Sequence, residues 1–514
     1  MTRDWPYYLL VIVSSVIFIF NGQTAFETSL NIYPFLERYF DSNYLLNDFY
    51  TNAVFNSNPY HIFGFVIIFL SKALNIEWYT AVYILKIIIV VFNPIIYYSF
   101  FNIMIRALGF KANKVLLLVF VIILISPLSK LFSIAWWPPY SSTVIPQTFG
   151  ISLSLLSFII WDKKYYFLAI LFILFASLLH PVVSLYTVIF VFSLEIFYLK
   201  TINNKSIIFL STWLLASIII YMLFPTKSIP NNDFVNLYAI ENHSSHYHLS
   251  DFGSYLPSII NWKISYLFIT ISFVIIYLIS KYVQQKNLIK KLVILVLTIF
   301  NLTILLQYIF IDIFPFRLVA IFSPIRYTSV MFWYFIILSV ILLSNKKNLI
   351  IKVNNRFNLS LFTLIILSCF VFFIDSPKER LYSKNKDFYD FVKTTSPNSI
   401  FSLPPSSLNF EFSYVSNRST FHGVGFPFNQ DFLYEYTERK NSLFGKKNEL
   451  DFIKGDWIGE KQNVFYGSLT PDKIKYIREK FDLDYIVFNK KYLKNTNQFD
   501  FVFETDELAV YSLN

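Results

Sequence analysis

The sequence predicts an α-helical polytopic membrane protein of about 11–13 transmembrane helices carrying a soluble α/β domain at its C-terminal end. Three observations predict it. The 514 residues are 55% hydrophobic and only 15% charged, where soluble domains carry about a quarter charged residues, and the mean hydropathy is +0.52. The apolar residues recur in runs close to the ~20 residues that cross a bilayer. From residue 376 charges, Asn, Ser and Pro return, beginning within "DSPKERLYSKNKDFYDFV". The expected division is therefore 1–375 for the membrane domain and 376–514 for the soluble tail.

Taken in order, the apolar runs lie near residues 6–20, 59–75, 78–107, 114–129, 146–161, 165–180, 182–199, 206–224, 264–280, 288–311, 318–344 and 359–374. The first has no small-residue cleavage site after it and reads as a retained helix. Residues 78–107 are long for one span, and Pro94 is a candidate break. In the tail, "SIFSLP", "DYIVFN", "FDFVFE" and "LAVYSL" read as strands by their aromatic and β-branched content. "TPDKIKYIREKF" reads as a helix with Thr470 as N-cap, Pro471 at its first position and an apolar face of Ile474, Ile477 and Phe481. "FLYEYTERKNSLFG" reads as part of an exposed groove or, more simply, as an amphipathic helix.

The net charge of +11 would suggest nucleic acid in a soluble chain. Much of it sits in short basic connections at 162–164, 200–205, 281–291 and 345–356, which the positive-inside rule places in the cytoplasm. The less basic connections 130–146, 225–263 and 312–317 then face outward, with the first loop, 21–58, and the tail. An inside N-terminus and an outside C-terminus need an odd number of spans, whereas the runs number twelve; residues 59–107 are where the count is open. A lone cysteine, Cys369, excludes disulfides and cysteine metal sites. Eleven glycines and no P-loop, GxGxxG or nucleophile elbow argue against a cytosolic nucleotide-sugar donor.

The outward segments gather acids, aromatics, histidines and arginines. In the first loop, "YLLNDFY" places Asp48 beside a membrane entry. An interfacial carboxylate is a candidate general base; the plainer reading is a solvated acid or a helix N-cap. Asp41 lies seven residues earlier, and a helical 41–48 would put both acids on one face, suited to a shared metal or an acid pair. Arg326, in "SPIRYTSVMFW", sits at the outer end of a late span and offers a phosphate grip, against the alternative of snorkelling to headgroups. His180, in "LLHPVVSLY", and His248, in "NHSSHYHLSDFGS", are further candidates for a donor phosphate. The group His243, His246, His248 and Asp251 lacks a recognised metal spacing. Trp136, Trp137 and Tyr140 offer faces to an acceptor sugar, or form an interfacial belt.

On "YLLNDFY", "NPYHIFG", "LLHPVVSLY" and "SPIRYTSVMFW", the layout resembles the GT-C superfamily of polytopic glycosyltransferases, over the whole chain. It lacks a WWD-like signature in the tail and a "PPL" after the first loop, which sets it apart from oligosaccharyltransferases and the mannosyl- and aminoarabinose-transferase branches and suggests a bacterial branch of its own. The resemblance implies an integral-membrane enzyme of the bacterial plasma membrane that moves a sugar from a polyprenyl-phosphate carrier to a glycan, lipid or protein acceptor on the extracytoplasmic face. Asp48 would act as base, with Asp41 as its alternate. No cofactor is fixed by the resemblance, a divalent cation (Mg or Mn) being the one candidate, and no nucleic acid is expected as a partner. The rival readings are a polysaccharide or lipid transporter or flippase, and a non-catalytic envelope scaffold.

Overall fold

The computed structural model describes residues 6, 9–14, 32–56, 60–132, 134, 140, 143–196, 203–224, 229–242, 247, 262–282, 286–344, 382–406, 408–423, 430–445, 460–494 and 499–513. The chain divides into two compact units. The first comprises 1–25, 79–223 and 245–373, and the second 26–78, 224–244 and 374–514. The tail boundary expected at 376 thus lies near the start of the last segment. The second unit also takes in most of the loop 21–58 and the short helix after it.

The first unit is helical. Among the described residues, five helices are long and apolar enough to cross a membrane: Trp78–Ala107, Asn204–Leu223, Lys263–Tyr282, Lys286–Ile313 and Arg317–Ser344. The chain is a helical membrane protein by this measure. On the Asn204–Leu223 helix only Ser206, Phe209, Thr212 and Ala216 are buried, and apolar side chains such as Leu214, Leu215 and Tyr221 stand open. Lipid is the solvent that suits such a surface. The expected run at 359–374 and most of that at 6–20 lie outside the described residues.

Trp78–Ala107 is one helix of 30 residues and passes through Pro94 unbroken. A proline leaves the carbonyl four residues back without its N–H. That carbonyl, of Val90, accepts from the Ser14 hydroxyl at 2.8 Å. Next to the proline, Asn93 Oδ1 accepts from Ser152 Oγ at 2.7 Å. The expected break is therefore absent because a neighbouring hydroxyl replaces the lost donor, as membrane helices allow.

Helices Pro146–Asp162, Tyr166–Leu179 and Pro181–Leu194 pack through small residues. Ser154, Ser177, Ala169 and Ala176 are fully buried. A Cβ added at Gly150 would come within 2.9 Å of Val183 Cγ2, so the glycine permits close approach. The serine hydroxyls bond their own helix, Ser154 to Gly150 O at 2.7 Å and Ser177 to Ile173 O at 2.8 Å.

The second unit holds a five-stranded mixed sheet: β1 (Ile400–Ser402), β2 (Ser419–Thr420), β3 (Tyr485–Asn489), β4 (Asp500–Glu504) and β5 (Leu508–Ser512), in the order β2-β1-β3-β5-β4. β1 runs parallel to β2 and β3, while β5 is antiparallel to β3 and β4. Four strands match the sequence expectation; β2, two residues long, was not expected. The helix Pro471–Phe481 follows its reading in full: Thr470 Oγ1 accepts from Lys473 N, and Ile474, Ile477 and Phe481 are buried. With Phe421, Tyr466, Leu483 and Ile486 they form the core beneath the sheet.

The helix His61–Leu74 belongs to this second unit. Its 14 residues rise about 21 Å, short of the ~30 Å of bilayer hydrocarbon.

Candidate functional site

Each unit carries a cluster of polar groups, and each cluster is built within its own unit.

In the first unit the cluster forms at two helix breaks. His180 has an extended backbone, ends Tyr166–Leu179 and precedes Pro181, the first residue of the next helix. Ser323 adopts a left-handed conformation at φ 45°, ending Arg317–Phe322 before Pro324 opens a short 3-10 turn. Irregular backbone among membrane helices persists where protein or a polar cavity satisfies it. Here Tyr186 Oη donates to Ser323 O at 2.8 Å, and Arg326 N donates to the same oxygen at 2.9 Å. Gln307 bridges two further backbone groups, donating to Tyr247 O at 3.0 Å and accepting from Ile325 N at 3.4 Å.

Onto this frame Arg326 places its guanidinium over the Tyr247 ring, 5.1 Å from the centroid. It lies near enough to His180 and Tyr186 to act on both electrostatically. His180 is buried. Of the three residues expected at a donor phosphate, Arg326 and His180 lie in the same unit within electrostatic reach of one another, and His248 lies outside the described residues. Sequence reading missed Gln307 and Tyr186. The signal available for Gln307 was an amide inside an apolar run, which a membrane makes costly unless it is used.

Trp136 and Trp137 lie outside the described residues. Tyr140 is buried in the helical core, edge-on to Tyr97 with ring centroids 5.4 Å apart. Its ring is spent on packing and presents no open face to an acceptor sugar.

In the second unit the described part of the first loop, residues 32–56, is folded tightly. Segment 41–47 is a series of turns, with Leu45 at φ 45°, so the helical spacing that would align Asp41 with Asp48 does not form. Asp41 is exposed and its Oδ1 accepts from Asn43 N at 3.0 Å. Arg38 clamps the turn, donating to Tyr44 O at 3.0 Å, to Asn52 Oδ1 at 2.6 Å and to Leu45 O.

Asp48 is 1% exposed. It caps the helix Phe49–Phe55: Oδ1 accepts from Thr51 N at 2.6 Å, and Oδ2 accepts from Thr420 N at 2.8 Å and Thr420 Oγ1 at 3.4 Å. One carboxylate thus ties the loop to β2. Burial pushes its carboxyl above the usual carboxylate value, opposed by the bonds from Thr51 and Thr420 and by the charge of Arg439. Both oxygens are occupied and Asp41 stands apart, so this pair does not fit a divalent cation. No group of three or more metal-binding side chains forms among the described residues, and His243, His246, His248 and Asp251 lie outside them.

Arg439 was not singled out by sequence. Its guanidinium lies 4.5 Å from the Phe49 and Phe481 ring centroids and 5.0 Å from that of Phe421. It pairs with Glu435 at 2.8 Å and donates to Phe421 O at 2.8 Å. A desolvated cation over aromatic faces contributes about 2 kcal/mol or more. Gly423, at φ 95°, is packed where an added Cβ would sit 2.3 Å from Tyr50 Cβ. Overpacking and left-handed strain add here. Gly423→Ala is therefore expected to destabilise the second unit by about 2–4 kcal/mol, read as a lowered unfolding midpoint in detergent. An unchanged midpoint would refute this account of the contact.

In comparisons with known proteins, no protein-family model matches the chain, and no curated protein matches it significantly.

Proposed function

We propose that this protein is an integral-membrane glycosyltransferase that takes a sugar from a polyprenyl-phosphate carrier and transfers it to an acceptor on the extracytoplasmic face of a bacterial plasma membrane. The observation that carries the reading is Arg326 with its guanidinium over the Tyr247 ring, at a helix break and within electrostatic reach of His180. A cation in an apolar helical unit is costly to bury, and a guanidinium is matched to phosphate oxygens.

In the proposed reaction an acceptor hydroxyl attacks the anomeric carbon. The bond from that carbon to the phosphate oxygen breaks, and polyprenyl phosphate leaves with the electron pair. Arg326 neutralises the charge that develops on it. The hydroxyl proton passes to a carboxylate. Asp48 is the proposed base, and in that role it exchanges one of its threonine partners for the acceptor. The GT-C-like topology, with about 11–13 spans and the tail outside, belongs to the same proposal. The helix His61–Leu74, at 14 residues, is short for a span; leaving its run out of the twelve would give the odd number that this orientation needs.

The test is release of polyprenyl phosphate from a panel of polyprenyl-phosphate sugars by the protein in nanodiscs. Arg326→Ala is expected to weaken donor use about 10- to 100-fold, the equivalent of a charged hydrogen-bonded contact of about 1.5–3 kcal/mol. Arg326→Lys should recover part of it. Full activity in Arg326→Ala would overturn the assignment. Helix breaks bearing a cation also suit a lipid-phosphate flippase; movement of the carrier lipid across the bilayer without release of polyprenyl phosphate would select that reading.

A further inference from the structure

A polar cleft of about 890 Å³ opens in the second unit, within the ~300–1,000 Å³ range of ligand sites. Its walls come from four distant stretches of chain: the turn with Leu46 and Asn47, Asn398 and Ile400 at the start of β1, the helix Leu433–Phe444, and the end of Pro471–Phe481 with the residues that follow. The segment "FLYEYTERKNSLFG", singled out in the sequence, contributes Tyr434, Glu435, Glu438 and Arg439 to it.

The chemistry of the wall is particular. Four acids, Glu435, Glu438, Asp482 and Asp484, face two cations, Arg439 and Lys480. Three of the acids are already engaged. Glu435 pairs with Arg439 at 2.8 Å, Glu438 pairs with Lys480, and Asp484 Oδ2 accepts from Ile400 N at 2.8 Å. The side chains of Asn47, Asn398 and Asp482 line the cleft with no partner among the described residues. Tyr434 adds a half-exposed ring, 50% open.

These features exclude ligands by class. The surplus of two acids over two cations disfavours phosphate, uronate and nucleic acid. The polar lining disfavours a lipid tail. A basic peptide needs unpaired carboxylates, and only Asp482 is fully free. What remains is a ligand with many hydroxyls and no net charge. Amides donate and accept, carboxylates accept from hydroxyl pairs, and an aromatic face covers a sugar's C–H side.

We propose that this cleft binds a neutral oligosaccharide. Its role as the acceptor's landing site rests on the glycosyl-transfer reading; the binding itself does not.

The experiment is saturation-transfer NMR on the full-length protein in nanodiscs, with no polyprenyl donor present. The probes are neutral oligosaccharides of glucose, galactose, mannose, rhamnose and N-acetylglucosamine, with a heparin-derived oligosaccharide and oligolysine as comparators. The variant is Asn47→Ala combined with Asp482→Asn. Both sites are exposed, and asparagine tolerates the left-handed backbone at 482 (φ 55°). At least one neutral probe is expected to receive saturation, at least tenfold more weakly from the variant, whose unfolding midpoint stays that of the parent. Three outcomes overturn the proposal: no neutral probe binds, the variant binds equally well, or oligolysine is the probe whose binding the variant removes. Neutral binding without polyprenyl-phosphate release from any donor would leave the cleft standing and sink the transferase. Release with no cleft-dependent binding would do the reverse.

Discussion

Replacing Asp48 with alanine is expected to lower the stability of the second unit by about 2–4 kcal/mol. The sum has two sources. Loss of the N-cap removes the acceptor for Thr51 N, typically worth about 1 kcal/mol. Loss of Oδ2 leaves Thr420 N–H unpaired in a buried site, which costs about 1–3 kcal/mol. Thermal unfolding of the full chain in nanodiscs, followed by protease access to the tail, measures it. Asp48→Asn separates the two roles given to this residue. An asparagine keeps the cap but turns an N–H donor toward either Thr51 N or Thr420 N, so the pinning role predicts a smaller loss of about 1–3 kcal/mol. The base role predicts abolished transfer at temperatures where the variant remains folded. A variant as stable and as active as the parent would defeat both.

The second large effect concerns acid. His422 is 2% exposed, ringed by Tyr436 and Phe444 with centroids 4.6 and 5.6 Å away. Burial, and then the charges of Lys440 and Arg439, push its imidazole down to about 3 from an ordinary 6.5. The unfolded chain therefore binds the proton more readily between those values. Stability from a neutral buried His422 is full above pH 6.5 and falls as pH drops through the window toward 3. By pH 5 the loss is about 2 kcal/mol, at about 1.4 kcal/mol for each pH unit. Asp48 and Glu411 work in the opposite sense. Burial raises both carboxyls, so the folded state holds their protons more tightly and gains stability as pH falls through their raised values. His422→Gln isolates the histidine: its unfolding midpoint should vary less between pH 7 and pH 5 than that of the parent. Equal slopes would show that the imidazole titrates as if exposed.

Much of the fold was legible because its signals are local. Thr470-Pro471 and the 474/477/481 face need only neighbouring residues, and four strands of the tail announce themselves by their aromatic and β-branched content. The membrane character follows from bulk composition. Pro94 misled because the donor that rescues Val90 O is Ser14, far away in sequence. Arg326 and His180 were legible as residue types suited to one task, though not as a geometry; the frame made by Gln307 and Tyr186 depends on backbone irregularities far apart in sequence. Asp48 was legible as a cap from the Asp-aromatic step into a helix. Its second partner, Thr420, lies on a two-residue strand 372 positions away, and no pattern within one sequence joins them. The cleft was hidden for the same reason, since its walls meet only after folding.

The discontinuity of the second unit has a consequence for how the protein is made. Residues 26–78 leave the ribosome early, yet the strand that completes Asp48's hydrogen bonds is Ser419–Thr420. At roughly 5–20 residues per second, the loop waits tens of seconds for its partner, with Tyr33, Tyr50 and Phe49 uncovered in the interval. Folding of this unit is thus post-insertional by geometry, with long-range closure as its slow step. A chain halted before residue 419 would display an aromatic, protease-sensitive loop, which makes quality control sensitive to the last fifth of the sequence.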